Sequence, residues 1–346
     1  MCSDLFKKGG PYNVQKTGRD LYEFQIPIDP DDHGRVAREC PDTNCSPAYF
    51  KIKYGTGIQE EQTVAYCPYC RCEVDPDEFF TCEQKRYIEE IMTNESRQGV
   101  EKAFKEAFGI GPSGKKQIGG GMLSMELSLK PNRPLHVRPP FEEEVLRSII
   151  CPHCGLDHAV FGLAIWCPDC GKDIFMTHVN AEFDVVRTML GDIERRRELL
   201  GPRIAARDIE NCLEDTVSIF EGVLKAFLIR YEQSIGKTEE EIQKIFEEKI
   251  RTGFQNPLRA KELIQNRLRE NLFDGIQSEH VDLLKNVFEK RHPITHNLGV
   301  IDKKYFDKAV EAEKEGREIR VSEEEIIQVI DISFTVLKNL HEKVFL

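Results

Sequence analysis

The chain has 346 residues, 40% hydrophobic and 31% charged, which is ample apolar content for more than one buried core. Its formal net charge of −12 excludes a protein that coats or tracks along nucleic acid, because sequence-independent binding to phosphates needs a basic surface; contact with RNA or DNA at one local patch stays open. The opening stretch MCSDLFKKGGPYNVQ has no apolar h-region and no segment approaches the length of a membrane span, so a cytoplasmic protein with no membrane partner is expected.

Residues 1–83 are rich in Pro, Asp and Cys, with short β-like runs (AYFKIKY, TVAYC) between turn signals, and read as a small β-rich module. CPDTNC supplies Cys40 and Cys45, and CPYCRC supplies Cys67 and Cys70, with Cys72 competing for a ligand place. Residues 84–140 contain a helix, spaced as such over 82–109 and ending at a glycine, then a basic Gly- and Pro-rich linker, GIGPSGKKQIGGG and KPNRPLHVRPP. A second cysteine module spans 141–178. There Cys151 and Cys154 of CPHCG face Cys167 and Cys170 of CPDCG across twelve intervening residues.

Each C-P-x-C-G run forms a tight knuckle whose thiolates converge, and two knuckles make a closed tetrahedral zinc site. Both modules resemble zinc ribbons, the first using Cys40, Cys45, Cys67 and Cys70. Two structural zinc ions per chain are expected. Four thiolates leave no open coordination position, so no catalytic metal is expected. His153 and His158 lie nearby, but the cysteines already complete that site. Cys2, Cys82 and Cys212 read as ordinary buried or surface thiols. Spaced cysteine pairs of this kind suit metal chelation in a reducing compartment better than a disulfide scaffold.

From 179 to 346 the pattern is helical, with apolar residues recurring every three or four positions. NAEFDVVRTMLGDIERRREL reads as one amphipathic helix and RDIENCLEDTVSIFEGVLKAFLIRYEQ as a long second one. TEEEIQKIFEEKI opens with a capping box, Thr238 to Glu241, and the last helix with another, Ser322 to Glu325. The fold class is therefore multidomain: small β-rich zinc ribbons, then an all-α bundle.

Within the bundle, RHPITHN (291–297) crowds an arginine, two histidines and an asparagine around a proline. On an unbroken helix residues five apart point about 140° away from each other. Pro293 lacks an N–H and suits the first turn of a helix. One helix is thus predicted to end near Arg291 and another to begin at Pro293, letting Arg291 and His296 face one point. An arginine fork suits a phosphate oxygen, and a histidine is best poised to move a proton near neutral pH.

The segment FEKRHPITHNLGVIDKKYF, followed by GREIRVSEEEIIQVID, resembles the C-terminal half of HEPN domains, which carry an R-x4-6-H motif in a small all-α bundle; the resemblance covers roughly 205–346. It implies a metal-independent endoribonuclease of the defence, toxin or RNA-processing kind, in which an RNA 2′-hydroxyl attacks its own phosphate. His296 would move the proton, Arg291 would stabilise the phosphorane charge, and His292 and Asn297 would be supporting hydrogen-bonders. Some relatives also use an acidic residue of the first long helix, for which Glu210, Glu214, Asp215 and Glu221 are candidates. The resemblance further implies a homodimer through the bundle and leaves room for an inhibitory or activating protein partner. The zinc ribbons would then sense or position the RNA substrate. The alternative is a non-catalytic HEPN-like module that dimerises and holds RNA or protein. A zinc-ribbon transcription factor is disfavoured by the net acidity and the lack of a helix dense in Arg, Lys and Asn.

Overall fold

Where each segment's hydrogen bonds and apolar face go decides the architecture, and the chain resolves into two units, Met1–Ile174 and Phe175–Leu346. The computed structural model describes residues 6, 9–19, 21–58, 63–111, 114–119, 125–130, 133–134, 136–306 and 314–346. Cys2 and parts of the Gly-rich linker lie outside them.

The first unit is built from short antiparallel pairs. β1 (Gln15–Lys16) pairs with β2 (Tyr22–Glu23). β3 (Val36–Glu39) and β4 (Tyr49–Ile52) flank the Cys40–Cys45 turn. β5 (Ala65–Tyr66) and β6 (Glu73–Val74) flank the Cys67–Cys70 knuckle. Helix α1 (Cys82–Phe108) follows, and its ends explain its limits. Thr81 and Gln84 form a reciprocal capping box at the start, and Gly109 takes the left-handed conformation at the end, φ 60°. β7 (Lys115–Ile118) and β8 (Met125–Ser128) form a hairpin within the basic segment. β9 (Arg147–Ile150) and β10 (Asp157–Val160) then flank Cys151 and Cys154.

The two cysteine modules, expected as separate ribbons, share one four-stranded sheet of order β3-β4-β10-β9. β4 and β10 pair antiparallel with Ile52 opposite His158 and Phe50 opposite Val160. The reason is burial: a lone two-stranded hairpin cannot cover a face, and each hairpin supplies the neighbour the other lacks. Period-two alternation puts Phe50 and Ile52 on one face and Lys51 on the other. Lys51 is buried there between Asp31 and Glu142, at 3.0 and 3.1 Å. Gln84 ties α1 to the sheet by donating from Nε2 to the Ala37 carbonyl at 3.0 Å.

In the second unit the described residues form α2 (Phe175–Gly191), α3 (Ile193–Leu200), α4 (Pro202–Ser234), α5 (Glu239–Ile245), α6 (Pro257–Arg267), α7 (Ser278–Asn297), the short α8 (Lys303–Phe306) and α9 (Glu323–Phe345). The stretch 180–199, read as one helix, is two, divided at Gly191 and Asp192. The capping boxes at Thr238 and Ser322 form as expected. α4 is the long axis of this unit, packing against α2, α3, α7 and α9. Its apolar stripe, including Leu213, Val217, Phe220, Leu224 and Phe227, is buried. Glu232, 2% exposed at its side chain, is held by Lys237 and Arg267, which compensates a carboxylate that burial alone would make costly.

One expectation is corrected here. Pro293 does not divide the helix: α7 runs unbroken from Ser278 to Asn297 with Pro293 inside it. Pro293 and its neighbour Ile294 are buried, so packing offsets the hydrogen bond the ring removes. The helix ends instead at Leu298, φ 53°, where Gly299 N–H closes back onto the Pro293 carbonyl at 2.9 Å.

The joint between α4 and α7 is aromatic, with Phe220 edge-on to Phe288 at 5.5 Å and both buried. Phe220→Ala should lower unfolding stability of the helical unit by about 3–5 kcal/mol, the range for truncating a buried aromatic. Urea unfolding of the full chain followed by helical circular dichroism checks this; a loss under about 1 kcal/mol would show the joint to be unimportant.

Candidate metal centres and the Arg–His segment

The sulfur atoms of Cys40, Cys45, Cys67 and Cys70 lie within 4.8 Å of one another, as do those of Cys151, Cys154, Cys167 and Cys170. The close pairs are Cys40–Cys70 at 3.6 Å, Cys45–Cys67 at 3.6 Å, Cys151–Cys170 at 3.8 Å and Cys154–Cys167 at 3.5 Å. Thiolates at the corners of a tetrahedron about 2.3 Å from a zinc ion are separated by ~3.8 Å. Both groups therefore have the donor set and the spacing of a closed four-thiolate site.

The local backbone explains the convergence. In three knuckles the N–H of the residue after the second cysteine bonds back to the carbonyl of the first: Arg71 to Cys67, Gly155 to Cys151 and Gly171 to Cys167, at 3.1, 2.9 and 3.0 Å. All three residues have positive φ, 63°, 83° and 63°. Backbone N–H groups point at the sulfurs, Tyr69 to Cys67 at 3.5 Å and His153 to Cys151 at 3.4 Å. Such donors stabilise thiolate charge. The wider Cys40–Cys45 turn is closed by Cys45 N–H on the Asp42 carbonyl at 3.0 Å.

Cys72 is not one of the four; it packs on the apolar cluster around Cys40, Phe50 and Cys67. Neither histidine is a member. His153 Nε2 lies 3.4 Å from the Asp173 carbonyl, and His158 is buried in β10, its imidazole pushed down to about 4 by burial and therefore neutral at ordinary pH. Cys212 is buried in α4, where burial pushes its thiol up to about 11, and Cys82 is exposed at the start of α1.

The RHPITHN segment has a different geometry from that expected. Because α7 is unbroken, Arg291 and His296 lie about 140° apart around its axis and do not converge within one chain. Arg291 is half-buried: its Nη1 donates to Gln255 Oε1 at 2.9 Å, and its Nε is buried without a hydrogen-bond partner. Gln255 in turn donates to Glu221 at 2.7 Å, and Glu221 pairs with Lys225 at 2.6 Å. The neighbouring face carries both histidines, with the His292 and His296 rings 4.9 Å apart, four residues apart on one side of the helix. His296 is exposed and His292 half-buried. Asn297 is held by Asp302 at 2.9 Å.

Of the four acidic candidates on α4, two reach this segment. Glu214 accepts from Thr295 at 2.6 Å, and Glu221 reaches Arg291 through Gln255. Asp215 is raised above the usual carboxylate range by burial and by the charge of Glu214. Glu210 is occupied by Arg203 and Arg207. Gln255 and Thr295 were not legible as participants, since only the packing of α7 on α4 and the turn before α6 brings them in. A cavity of about 540 Å³ lies at the opposite end of α7, lined by Gln277, His280, Asp331 and Thr335, well away from His296.

No protein-family model matches the chain, and comparison with curated proteins and with solved structures gives no match. Among the described residues no helix is long and apolar enough to cross a membrane.

Burial pushes the thiols of Cys67 and Cys154 up to about 12 and raises those of Cys40, Cys45 and Cys167. In Cys151 burial acts the same way, but hydrogen bonds from the backbone of His153 and Cys154 outweigh it and leave the thiol lowered. A metal entering either group must therefore displace protons, so affinity rises with pH. Lowering pH from about 8 to about 5 should weaken metal retention by at least tenfold; competition with a chelator across that range measures it, and a flat profile would exclude thiolate ligation.

Proposed function

We propose that this protein is a metal-independent endoribonuclease whose chemistry sits on the His292/His296 face of α7, with both four-cysteine groups holding structural zinc. The observation that carries the proposal is the pair of imidazoles 4.9 Å apart on one side of α7. Cleavage of RNA by its own 2′-hydroxyl needs one group to take the hydroxyl proton and another to give a proton to the departing 5′-oxygen. Two adjacent imidazoles near the surface meet that need without a metal. One removes the 2′-hydroxyl proton as the oxygen bonds to phosphorus; the other protonates the 5′-oxygen as its bond to phosphorus breaks. The products are a 2′,3′-cyclic phosphate and a 5′-hydroxyl. His292, expected from the sequence only to support, thereby takes a proton-transfer role equal to that of His296.

Arg291 could stabilise the phosphorane charge, but within one chain its guanidinium is turned away from the pair, toward Gln255. A two-fold pairing of bundles along α7 would bring the arginine of one copy toward the histidines of the other, in keeping with the HEPN-like motif. The same Gln255 contact favours a second reading, in which Arg291 only anchors the Gln255–Glu221 chain and the bundle binds RNA or protein without cutting it. Zinc is the metal that closed four-thiolate sites of this geometry most often hold.

Purified protein incubated with total RNA and brief EDTA should leave cyclic phosphate ends. His292→Ala and His296→Ala should each lower the rate by ~10²–10⁴-fold while the helical signal is retained. Cleavage unaffected by either change would remove the catalytic assignment; no cleavage by the parent would favour the binding module. Light scattering tests the pairing, and a monomer at micromolar concentration that cuts RNA would exclude a site shared between copies.

A further inference from the structure

The two four-cysteine groups are built into each other. Strand, cysteine turn, strand and second knuckle occur in that order around Cys40, Cys45, Cys67 and Cys70, and again around Cys151, Cys154, Cys167 and Cys170. In the sheet order β3-β4-β10-β9 the antiparallel β4–β10 pair is central, so the halves face each other about an approximate two-fold axis. The correspondence extends to single atoms. Tyr66, just before Cys67, donates its N–H to the Pro168 carbonyl at 2.9 Å. Trp166, just before Cys167, donates its N–H to the Pro68 carbonyl at 3.1 Å. Pro68 and Pro168 are the second residues of the two knuckles, so each knuckle is fastened to the other by its own backbone.

Side chains repeat the arrangement. Gly171 lies close against the Tyr66 ring, and a Cβ there would come within 2.9 Å of it. The equivalent place opposite Trp166 is taken by Arg71, whose guanidinium stacks 4.5 Å from the ring. Arg71 has φ 63° at a position where the other knuckles use Gly155 and Gly171. A residue with a Cβ is disfavoured in that conformation, so the side chain is there for its contact with Trp166. Ile52, on β4, packs in the apolar clusters of both groups, and Val160, on β10, packs in the cluster of the first.

We infer that the two centres load and lose metal as one cooperative unit, coupled through the reciprocal knuckle bonds and the Arg71–Trp166 stack. The inference rests on the zinc assignment above. When one centre is emptied, its four thiols no longer hold their knuckle closed. The carbonyl at Pro68 or Pro168 then loses its fixed direction, and the partner knuckle loses the acceptor that holds its own strand end. Emptying one centre therefore weakens the other, and by linkage filling one strengthens the other by the same factor.

The test is native mass spectrometry of the full chain, counting zinc as a chelator is titrated. Two-zinc and zinc-free chains should dominate at every step, with one-zinc chains staying below about a tenth; independent equal sites would give roughly half one-zinc chains at the midpoint. One-zinc chains accumulating to that level or beyond overturn the coupling. A chain that takes up no zinc overturns the zinc assignment instead, a different result. Arg71→Gly keeps the backbone conformation and removes the stack, so both centres should still fill while the one-zinc share rises several-fold. Trp166 is the sole tryptophan, and its emission reports the state of the joint directly. An unchanged one-zinc share in Arg71→Gly with an unchanged emission spectrum would take Arg71 out of the coupling.

Discussion

The antiparallel pairing of β4 with β10 is the contact on which the first unit depends. It joins Phe50 to Val160 and Ile52 to His158, closing a loop of more than a hundred residues. The entropy of closing a loop grows only with the logarithm of its length, so a helix and a hairpin can be carried between the halves at little further cost. What the closure yields is a sheet wide enough to have a covered face on each side. On the Phe50 and Ile52 face, Phe50, Phe79 and Val160 fill one cysteine core and Leu156 and Ile174 the other, while Ala37, Tyr49, Val145 and Ala159 pack on the opposite face. Without the pairing each hairpin would be a two-stranded ribbon with neither face buried, and its thiols would have no fixed places in which to converge.

A different constraint shapes the bundle. α7 buries Leu284, Val287, Phe288, Pro293 and Ile294, and that apolar line sets the rotation of the helix. Once the rotation is set, Arg291 points toward Gln255 while His292 and His296 share the neighbouring face. Arg291 is thereby tied into a chain of polar contacts ending at the Glu221–Lys225 pair. Linked polar contacts of this kind fix the direction of the Arg291 guanidinium, although its buried Nε is left without a hydrogen-bond partner. The His296 imidazole lies outside that chain and is exposed, which leaves it accessible to a ligand at the surface.

The four-cysteine groups and the proposed chemistry therefore occupy different parts of the chain and answer to different physics. The cysteine groups are compact, half of their cysteines buried, and set by backbone turns. The histidine face is open and set by helix rotation.

Much was written in the sequence because it is local. C-x-x-C with proline inside and glycine after it specifies a knuckle through a few backbone torsions, and Cys151, Cys154, Cys167 and Cys170 converge as their spacing implies. Thr238–Glu241 and Ser322–Glu325 specify helix starts through hydrogen bonds four residues long, and the apolar period of three to four specifies which side of α4 and α9 is buried. Two things were decided only by tertiary structure. The union of two ribbons in one sheet depends on edges that meet across more than a hundred residues, which no local pattern records. The continuity of α7 through Pro293 depends on packing: a proline's local preference is to start a helix, and burial of Pro293 and Ile294 against the bundle outweighs it. That last decision moved His292 beside His296 and took Arg291 away, because the direction of a side chain follows the course of the whole helix.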